Sequence, residues 1–130
     1  MSDEIRLTLP RESDFYGVAH LVMGGLAVRL NLTYEELEDL ELALENLLEH
    51  DEGQGEITLS VRLHDGALTA VVGPFDGPAI RAELVPGDSD ALGLRRILDT
   101  VADRVTVTER EGGQWVELRK RIHPAPPAEA

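Results

Sequence analysis

The chain has 130 residues and carries 25 acidic against 12 basic residues, a formal net charge of −13. This length predicts one domain with a sizeable core. The acidic balance disfavours nucleic-acid and anionic-membrane partners, because phosphate neutralisation needs clustered Lys and Arg, but it is compatible with a basic protein partner. Cysteine is absent, which excludes disulfides, thiolate catalysis and Cys-based metal sites.

The two ends of the chain bear on its location and its domain limits. The N-terminal residues MSDEIRLTLP lack the basic and apolar regions of a signal peptide, and no apolar run reaches the roughly 20 residues that span a bilayer. We therefore expect a soluble, cytoplasmic protein of bacterial type with no membrane attachment. The Pro-rich end over 123–130 predicts a disordered tail, which leaves a single folded domain over 1–122.

The chain begins with a predicted strand and helix. Apolar and polar residues alternate over 5–9, which indicates a short strand. A helix begins at Ser13 or Asp14, and Gly24-Gly25 within it predicts close packing against a neighbour. We expect its buried face to carry Phe15, Val18, Ala19, Val22, Leu26 and Leu30.

The next helix, from Thr33 to His50, has the strongest pattern in the sequence. Thr33 and Glu36 are spaced as a capping box. Its apolar stripe consists of Leu37, Leu40, Leu44, Leu47 and Leu48. The opposite side is almost entirely acidic, so it faces either water or, over the last two turns from Leu42, a ligand. The short link from the preceding helix predicts that the two helices are antiparallel neighbours.

The second half of the chain predicts hairpins and further helices. Strands are expected over 57–63, 68–72, 104–108 and 114–122. Helices are expected over 79–85 and from a cap at Asp88 or Ser89 to Val101. Asp65-Gly66 and Gly112-Gly113 indicate hairpin turns. Gly73-Pro74 is expected to end its strand, because proline lacks a backbone donor.

This order of elements predicts the fold class. Strands and helices follow one another as β-α-α-β-β-(short α)-α-β-β. We expect an α/β two-layer sandwich, a mixed and mostly antiparallel sheet with the helices on one face. A wholly parallel, doubly wound sheet is disfavoured because hairpins join two of the strand pairs.

Residue chemistry indicates one candidate region, the second half of the acidic helix. Glu41, Glu45 and Glu49 recur at i, i+4 spacing, which suits a divalent cation or a general base, although such a ladder is more often a solvated face. Asn46 and His50 form a second pair at the edge of the leucine stripe, where they would meet a polar ligand. The four histidines lack metal-ligand spacing, and the sequence has no nucleophile elbow or phosphate loop.

From residue 5 to 122 the chain resembles the anti-sigma regulatory factor branch of the ATPase fold shared by histidine kinases, Hsp90, gyrase and MutL. The strings EDLELALEN, ALGLRRILDTVADRV and GGQWVELRK occur in the family order. Members of this branch are serine kinases that also hold sigma factors inactive. The resemblance implies the histidine kinase/Hsp90-type ATPase fold, ATP with Mg²⁺ as cofactors, a sigma factor or an antagonist domain as partner, and a homodimer through the first strand and helix.

The family motif on the second helix, LAxxExxxNxxxH, is altered in this chain. In the family its Glu is the general base and its Asn holds Mg²⁺. Setting Leu42-Ala43 on the family Leu-Ala puts Asn46 at the base position and His50 at the metal position. Matching NLLEH instead restores Asn46 and His50 but puts Leu42 at the base position. A carboxamide does not accept a proton as a carboxylate does, and neutral His is a poor ligand for Mg²⁺.

The other family motifs depart as well. The adenine-binding Asp of DxGxG is missing from its place, and only Asp76-Gly77, displaced by three residues, stands in. The phosphate-binding GxGL reads ALGL, which keeps Gly93 and has Ala91 in place of the other glycine. The terminal GGT reads GGQ, with Gln114 in place of Thr. The resemblance thus gives Asn46, His50, Asp76, Gly77 and Gly93 as ATP-site candidates.

Three functions remain open. The first is a regulatory protein with a degenerate ATP-binding fold that acts by protein–protein binding in transcription or stress regulation, without required ATP or Mg²⁺. The second is an ATP-dependent serine/threonine-protein kinase with Glu45 or Glu49 as displaced base, Asp76 toward adenine, and Asn46 or His50 as metal ligand. The third is an unrelated α/β sandwich that binds a small ligand. We expect the first.

Overall fold

Five strands and three helices build the part of the chain that the computed structural model describes, residues 3–49, 55–75, 93–110 and 113–122. The elements are β1 (Asp3–Pro10), α1 (Ser13–Leu30), α2 (Tyr34–Glu49), β2 (Glu56–His64), β3 (Ala67–Phe75), α3 (Leu94–Val101), β4 (Arg104–Arg110) and β5 (Gly113–Arg121). The strands form one sheet in the order β1-β2-β3-β5-β4, and every neighbouring pair is antiparallel. The two-layer α/β prediction is confirmed, and the described sheet is antiparallel throughout rather than mixed.

The core lies between the sheet and the helices and is almost wholly aliphatic. Strand β2 shows how the sequence produces this core. Its aliphatic residues Ile57, Leu59 and Val61 alternate with polar residues and are buried. The leucine stripe predicted for α2 is confirmed: Leu40, Leu44, Leu47 and Leu48 are buried, and Leu37 packs against them. None of the described helices is long and apolar enough to cross a membrane.

Helix α1 turns most of the predicted face inward. Four of the six predicted residues are buried in the core or packed against it: Ala19, Val22, Leu26 and Leu30. Met23 is buried with them. The other two, Phe15 and Val18, are 39 % and 38 % exposed. They were predicted wrongly because α1 has apolar residues around most of its circumference, so periodicity alone does not set the edges of the buried side.

The outward side of α1 is therefore apolar as well. Leu21 and Val28 are 78 % and 80 % exposed. The close packing predicted at Gly24-Gly25 is wrong for the described chain, because a β-carbon at either glycine would meet no atom within 4 Å. This side of α1 is not covered by any described residue.

Helix α2 begins with the predicted capping box. The backbone N–H of Glu36 donates to Thr33 Oγ1 at 3.0 Å, and the N–H of Thr33 donates to Glu36 Oε1 at 2.9 Å. These bonds explain how Glu36 is only 7 % exposed, since a buried carboxylate needs hydrogen-bond donors to offset its desolvation.

Strand β3 extends further than predicted. It passes through Gly73-Pro74 and ends at Phe75, instead of stopping at the glycine. The register with β5 shifts between Val72 and Phe75, and this irregularity accommodates a proline that has no N–H to donate to the ladder.

The predicted turn between β2 and β3 is confirmed. Asp65 and Gly66 have φ values of 52° and 75°, the left-handed pair that a two-residue hairpin turn requires. Other predictions lie outside the described residues: the short helix over 79–85, the caps Asp88 and Ser89, the turn residue Gly112 and the tail over 123–130.

Removing the hydroxyl of the capping box tests how α2 is anchored. We expect Thr33→Ala to lower the free energy of unfolding by about 1 kcal/mol, because the N–H of Glu36 loses its acceptor. Urea denaturation followed by circular dichroism measures this loss. Glu38→Ala, an exposed change in the same helix, serves as control and should stay within about 0.5 kcal/mol of the parent. Equal losses in both variants would contradict the cap's role.

Candidate functional site

Helix α2 is flanked by both other described helices, and its polar side chains divide between these flanks. It packs against α1 and α3. Toward α1, Glu41 Oε2 lies 3.4 Å from His20 Nδ1. Toward α3 and β5, Asp39 meets Lys120. Residues seven apart lie on nearly the same side of a helix, so Asn46 continues the flank of Asp39.

Lys120 ties three elements together on this flank. Its Nζ donates to Asp39 Oδ2 at 3.1 Å and to the carbonyl oxygen of Val101 at 3.0 Å. The carbonyl belongs to the last turn of α3, where a cation is favoured by the helix dipole. The alternation of residues in β5 puts Lys120 on the inward face of the strand, but it does not predict the partners of its Nζ. The available signal was a lysine at a buried-face position between Leu118 and Ile122.

The candidate residues of α2 differ in their surroundings. Asn46 is half-buried, and its Nδ2 donates to the carbonyl oxygen of Leu42 at 2.8 Å. The Leu42 side chain is 45 % exposed. Glu45 and Glu49 are exposed on the outward side of the helix, and neither forms an ion pair with another described residue. The carboxylates of these two glutamates thus face outward, whereas Asn46 is half-buried on the flank of Asp39.

Gly93 lies immediately before α3. Its φ of −77° and ψ of −179° are extended, and the helix has no side-chain cap because glycine has no side chain. The backbone at this end of α3 is thus accessible to a close approach, as a phosphate-binding helix start requires.

Gln114 replaces the family Thr near the start of β5. Its Nε2 donates to Glu109 Oε2 at 2.9 Å. Its Oε1 is buried and has no hydrogen-bond partner within the described part of the chain. The side chain is thus anchored by its nitrogen alone among the described contacts.

Several site candidates lie outside the described residues: His50, Asp76, Gly77 and Ala91. Within the described ranges, no three His, Cys, Asp or Glu side chains gather in a way that could hold a metal ion. The described part of the site is therefore one wall formed by α2, together with the start of α3.

The outward side of α2 is a strip of carboxylates, which we call the acidic strip. It consists of Glu35, Glu38, Glu45 and Glu49, all exposed. The helix contains no basic residue that would neutralise them. Such a strip attracts basic surfaces and raises the rate of encounter with them.

Comparisons with known proteins identify relatives along most of the chain. No protein-family model matches the sequence. The chain is 33 % identical to the serine-protein kinase RsbW of Halalkalibacterium halodurans, over 85 % of this chain and 78 % of that protein. It is 28 % identical to the serine-protein kinase RsbW of Bacillus velezensis, over 85 % and 81 % of the two chains.

The fold is also found in a solved structure. It is similar to the crystal structure of the RsbU and RsbW domains of Rv1364c from Mycobacterium tuberculosis, with a TM-score of 0.68. The match covers 95 % of this chain and 34 % of that one at 17 % identity, which shows a shared fold. The third alternative, an unrelated sandwich, is therefore wrong. With one-third identity over most of both sequences, the chain belongs to the family of the serine-protein kinase RsbW, the anti-sigma regulatory factor branch of the histidine kinase/Hsp90-type ATPases.

Proposed function

We propose that the protein is an anti-sigma-type regulator that binds a protein partner without phosphorylating it. Family membership supports the regulatory class. One observation carries the proposed loss of catalysis: the base position on α2 is occupied by Leu42 or by Asn46, depending on the register, and neither side chain is a carboxylate.

The surroundings of Asn46 support a former nucleotide site between α2 and α3. Lys120 links Asp39, in the first half of α2, to Val101 at the end of α3. We infer that the two helices are antiparallel, so that Asn46, about 10 Å further along α2, lies level with Gly93 at the start of α3.

Transfer of phosphate from ATP to a serine needs more than this wall supplies. A general base must accept the hydroxyl proton, and the amide of Asn46 and the alkyl chain of Leu42 have no basic group. Glu45 and Glu49 are carboxylates, but they face outward into water, where nothing among the described residues positions them. The described residues therefore do not fit the Mg²⁺–ATP chemistry of an active kinase, and we derive no catalytic step.

The hypothesis of an active serine-protein kinase remains the second candidate, because the relatives carry that name and Glu45 and Glu49 are accessible. In this hypothesis Glu45 or Glu49 is a displaced base, Asp76 binds adenine, and Asn46 or His50 binds Mg²⁺. The acidic strip favours the binding function, since it offers a basic partner an unneutralised surface. We take that partner to be a sigma factor or an antagonist domain, in the cytoplasm.

The outward side of α1, which no described residue covers, supports a homodimer. We propose that Leu21 and Val28, both largely exposed, pack against a second copy together with the neighbouring edge strand β1. Exposed apolar side chains on one helix side and an unpaired strand edge are both features that association covers.

A phosphate-transfer assay tests the loss of catalysis. With labelled ATP, Mg²⁺ and the partner recovered by pull-down, we expect no transfer by the parent protein. Leu42→Glu should produce measurable transfer if Leu42 occupies the base position. In the other register His50 stands at the metal position, so there the double change Asn46→Glu with His50→Asn should produce it. Glu45→Gln is the matched control and should stay inactive. Transfer by the parent protein that is lost in Glu45→Gln or Glu49→Gln would establish the kinase instead.

Light scattering on a size-exclusion column tests the dimer. We expect the parent protein to have twice the monomer mass and Leu21→Glu to have the monomer mass, because a carboxylate is not tolerated in an apolar interface. Leu42→Glu places the same change at another exposed leucine, on α2, and should stay dimeric. A monomeric parent protein, or a dimeric Leu21→Glu variant, would contradict this proposal.

A further inference from the structure

The face of the sheet that points away from the helices has a charge opposite to that of the whole chain. We call it the open face. Its outward arginines are Arg6, Arg62, Arg104, Arg110, Arg119 and Arg121. They outnumber its outward glutamates, Glu4, Glu56 and Glu117. In a protein with a net charge of −13, a surface with an excess of guanidinium groups stands apart from its surroundings.

These arginines are neighbours in the sheet although their like charges repel one another. Arg104 and Arg119 lie directly opposite across the β4–β5 pair, a placement that destabilises a sheet when the charges are alike. Thr69 separates Arg119 from Arg62 along the same row. Among the described residues, none of Arg62, Arg104 and Arg119 forms an ion pair. The charges of Arg62 and Arg104 are therefore available to an external carboxylate, whereas Arg119 also lines a second cavity whose other lining residues include Glu35, Asp39 and Asp103.

A groove crosses the open face, with a volume of about 720 Å³. Arg6, Arg62 and Arg110 line it, together with threonines and serine from β1, β2 and β3 and with two carboxylates, those of Glu4 and Glu117. Trp115, the one tryptophan of the chain, also lines it, and the guanidinium of Arg110 lies 5.8 Å from its ring centroid. The groove thus offers cations, hydroxyl groups and an aromatic surface to one ligand.

The position of Trp115 is set by the sheet itself. A β-carbon at Gly73 would lie 2.6 Å from Trp115 Cδ2, so the ring rests directly on the glycine backbone of β3. This contact holds the indole against the sheet at one end of the groove, where it supplies a fixed apolar platform.

We propose that the open face binds a short, extended acidic segment of a partner protein, at a site separate from the acidic strip. Carboxylates of the segment would pair with Arg62 and would replace Glu4, whose carboxylate lies 3.6 Å from Arg6, as the partner of Arg6. Guanidinium groups bind carboxylates through two parallel hydrogen bonds. An apolar side chain of the segment would pack against the edge of the Trp115 ring, since Gly73 and Arg110 lie against the ring faces. The five strands make the face about 20 Å wide, a distance that about six extended residues span.

Charge favours a short peptide over a nucleic acid as the occupant. A nucleic-acid strand carries a phosphate on every nucleotide and extends beyond the open face toward surfaces that are rich in carboxylates. A six-residue segment stays on the face. The acidic helix layer lies on the other side of the sheet, so salt screens the repulsion between its carboxylates and the acidic segment.

Titration of the full chain with a synthetic peptide of alternating aspartate and leucine tests the proposal, because Trp115 reports binding by its fluorescence. We expect a saturable change that weakens as salt is raised. Arg62→Glu should reduce affinity at least tenfold, and Arg6→Glu, which alters a side chain that is 70 % exposed, should act in the same direction. Arg96→Glu makes the same charge change on the exposed side of α3 and should leave the affinity unchanged.

Three results would overturn the proposal. The first is no saturable change with the acidic peptide, and the second is equal affinity for the parent protein and both open-face variants. The third is a different occupant. Tighter binding of a single-stranded oligonucleotide would indicate a nucleic acid, and a loss of dimer mass in Arg62→Glu would indicate a second copy of this chain.

Discussion

Burial of the leucine stripe of α2 is the contact on which the rest of the structure depends. Four of its leucines are buried against an aliphatic sheet face, and each buried leucine side chain stabilises the fold by about 1.5–3 kcal/mol. This contact fixes the rotation of the helix. It thereby directs Asp39 and Asn46 toward α3 and leaves the acidic strip in water. The sheet and α3 complete the core with aliphatic side chains and with one buried aromatic residue, Phe75.

Because the stripe fixes α2, charge is sorted between the two layers of the molecule. Carboxylates concentrate on the helix layer, where α2 has no basic residue, while arginines concentrate on the open face of the sheet. The family resemblance explains the fold, but the two charged surfaces belong to this chain's own residues. We propose that the regulatory function uses them for protein partners, in place of the phosphate transfer for which Leu42 and Asn46 supply no base.

Much of this was predictable from the sequence, and the failures have physical causes. Capping residues and strict alternation are local signals, so α2, β2 and the turn at Asp65 were predicted correctly. The buried side of α1 was predicted only in part, because both of its sides are apolar and only tertiary contacts leave Phe15 and Val18 outside. Passage of β3 through Pro74 depends on a register shift with a distant strand. For the candidate site, the sequence is enough to propose Asn46, whereas the contacts of Lys120 with Asp39 and Val101 depend on which elements are neighbours.

Capture of the partner from an extract of the source bacterium most directly tests the claim that this protein acts by binding. We expect the tagged chain to recover a sigma factor or an antagonist domain. We also expect that reversing two charges of the acidic strip, Glu45→Lys with Glu49→Lys, lowers the recovery severalfold. Glu12→Lys with Asp14→Lys makes the same charge change at exposed residues beside α1 and should leave it intact. Recovery of neither type of protein, or equal recovery by both double variants, would contradict the claim that this protein acts by binding a partner through the acidic strip.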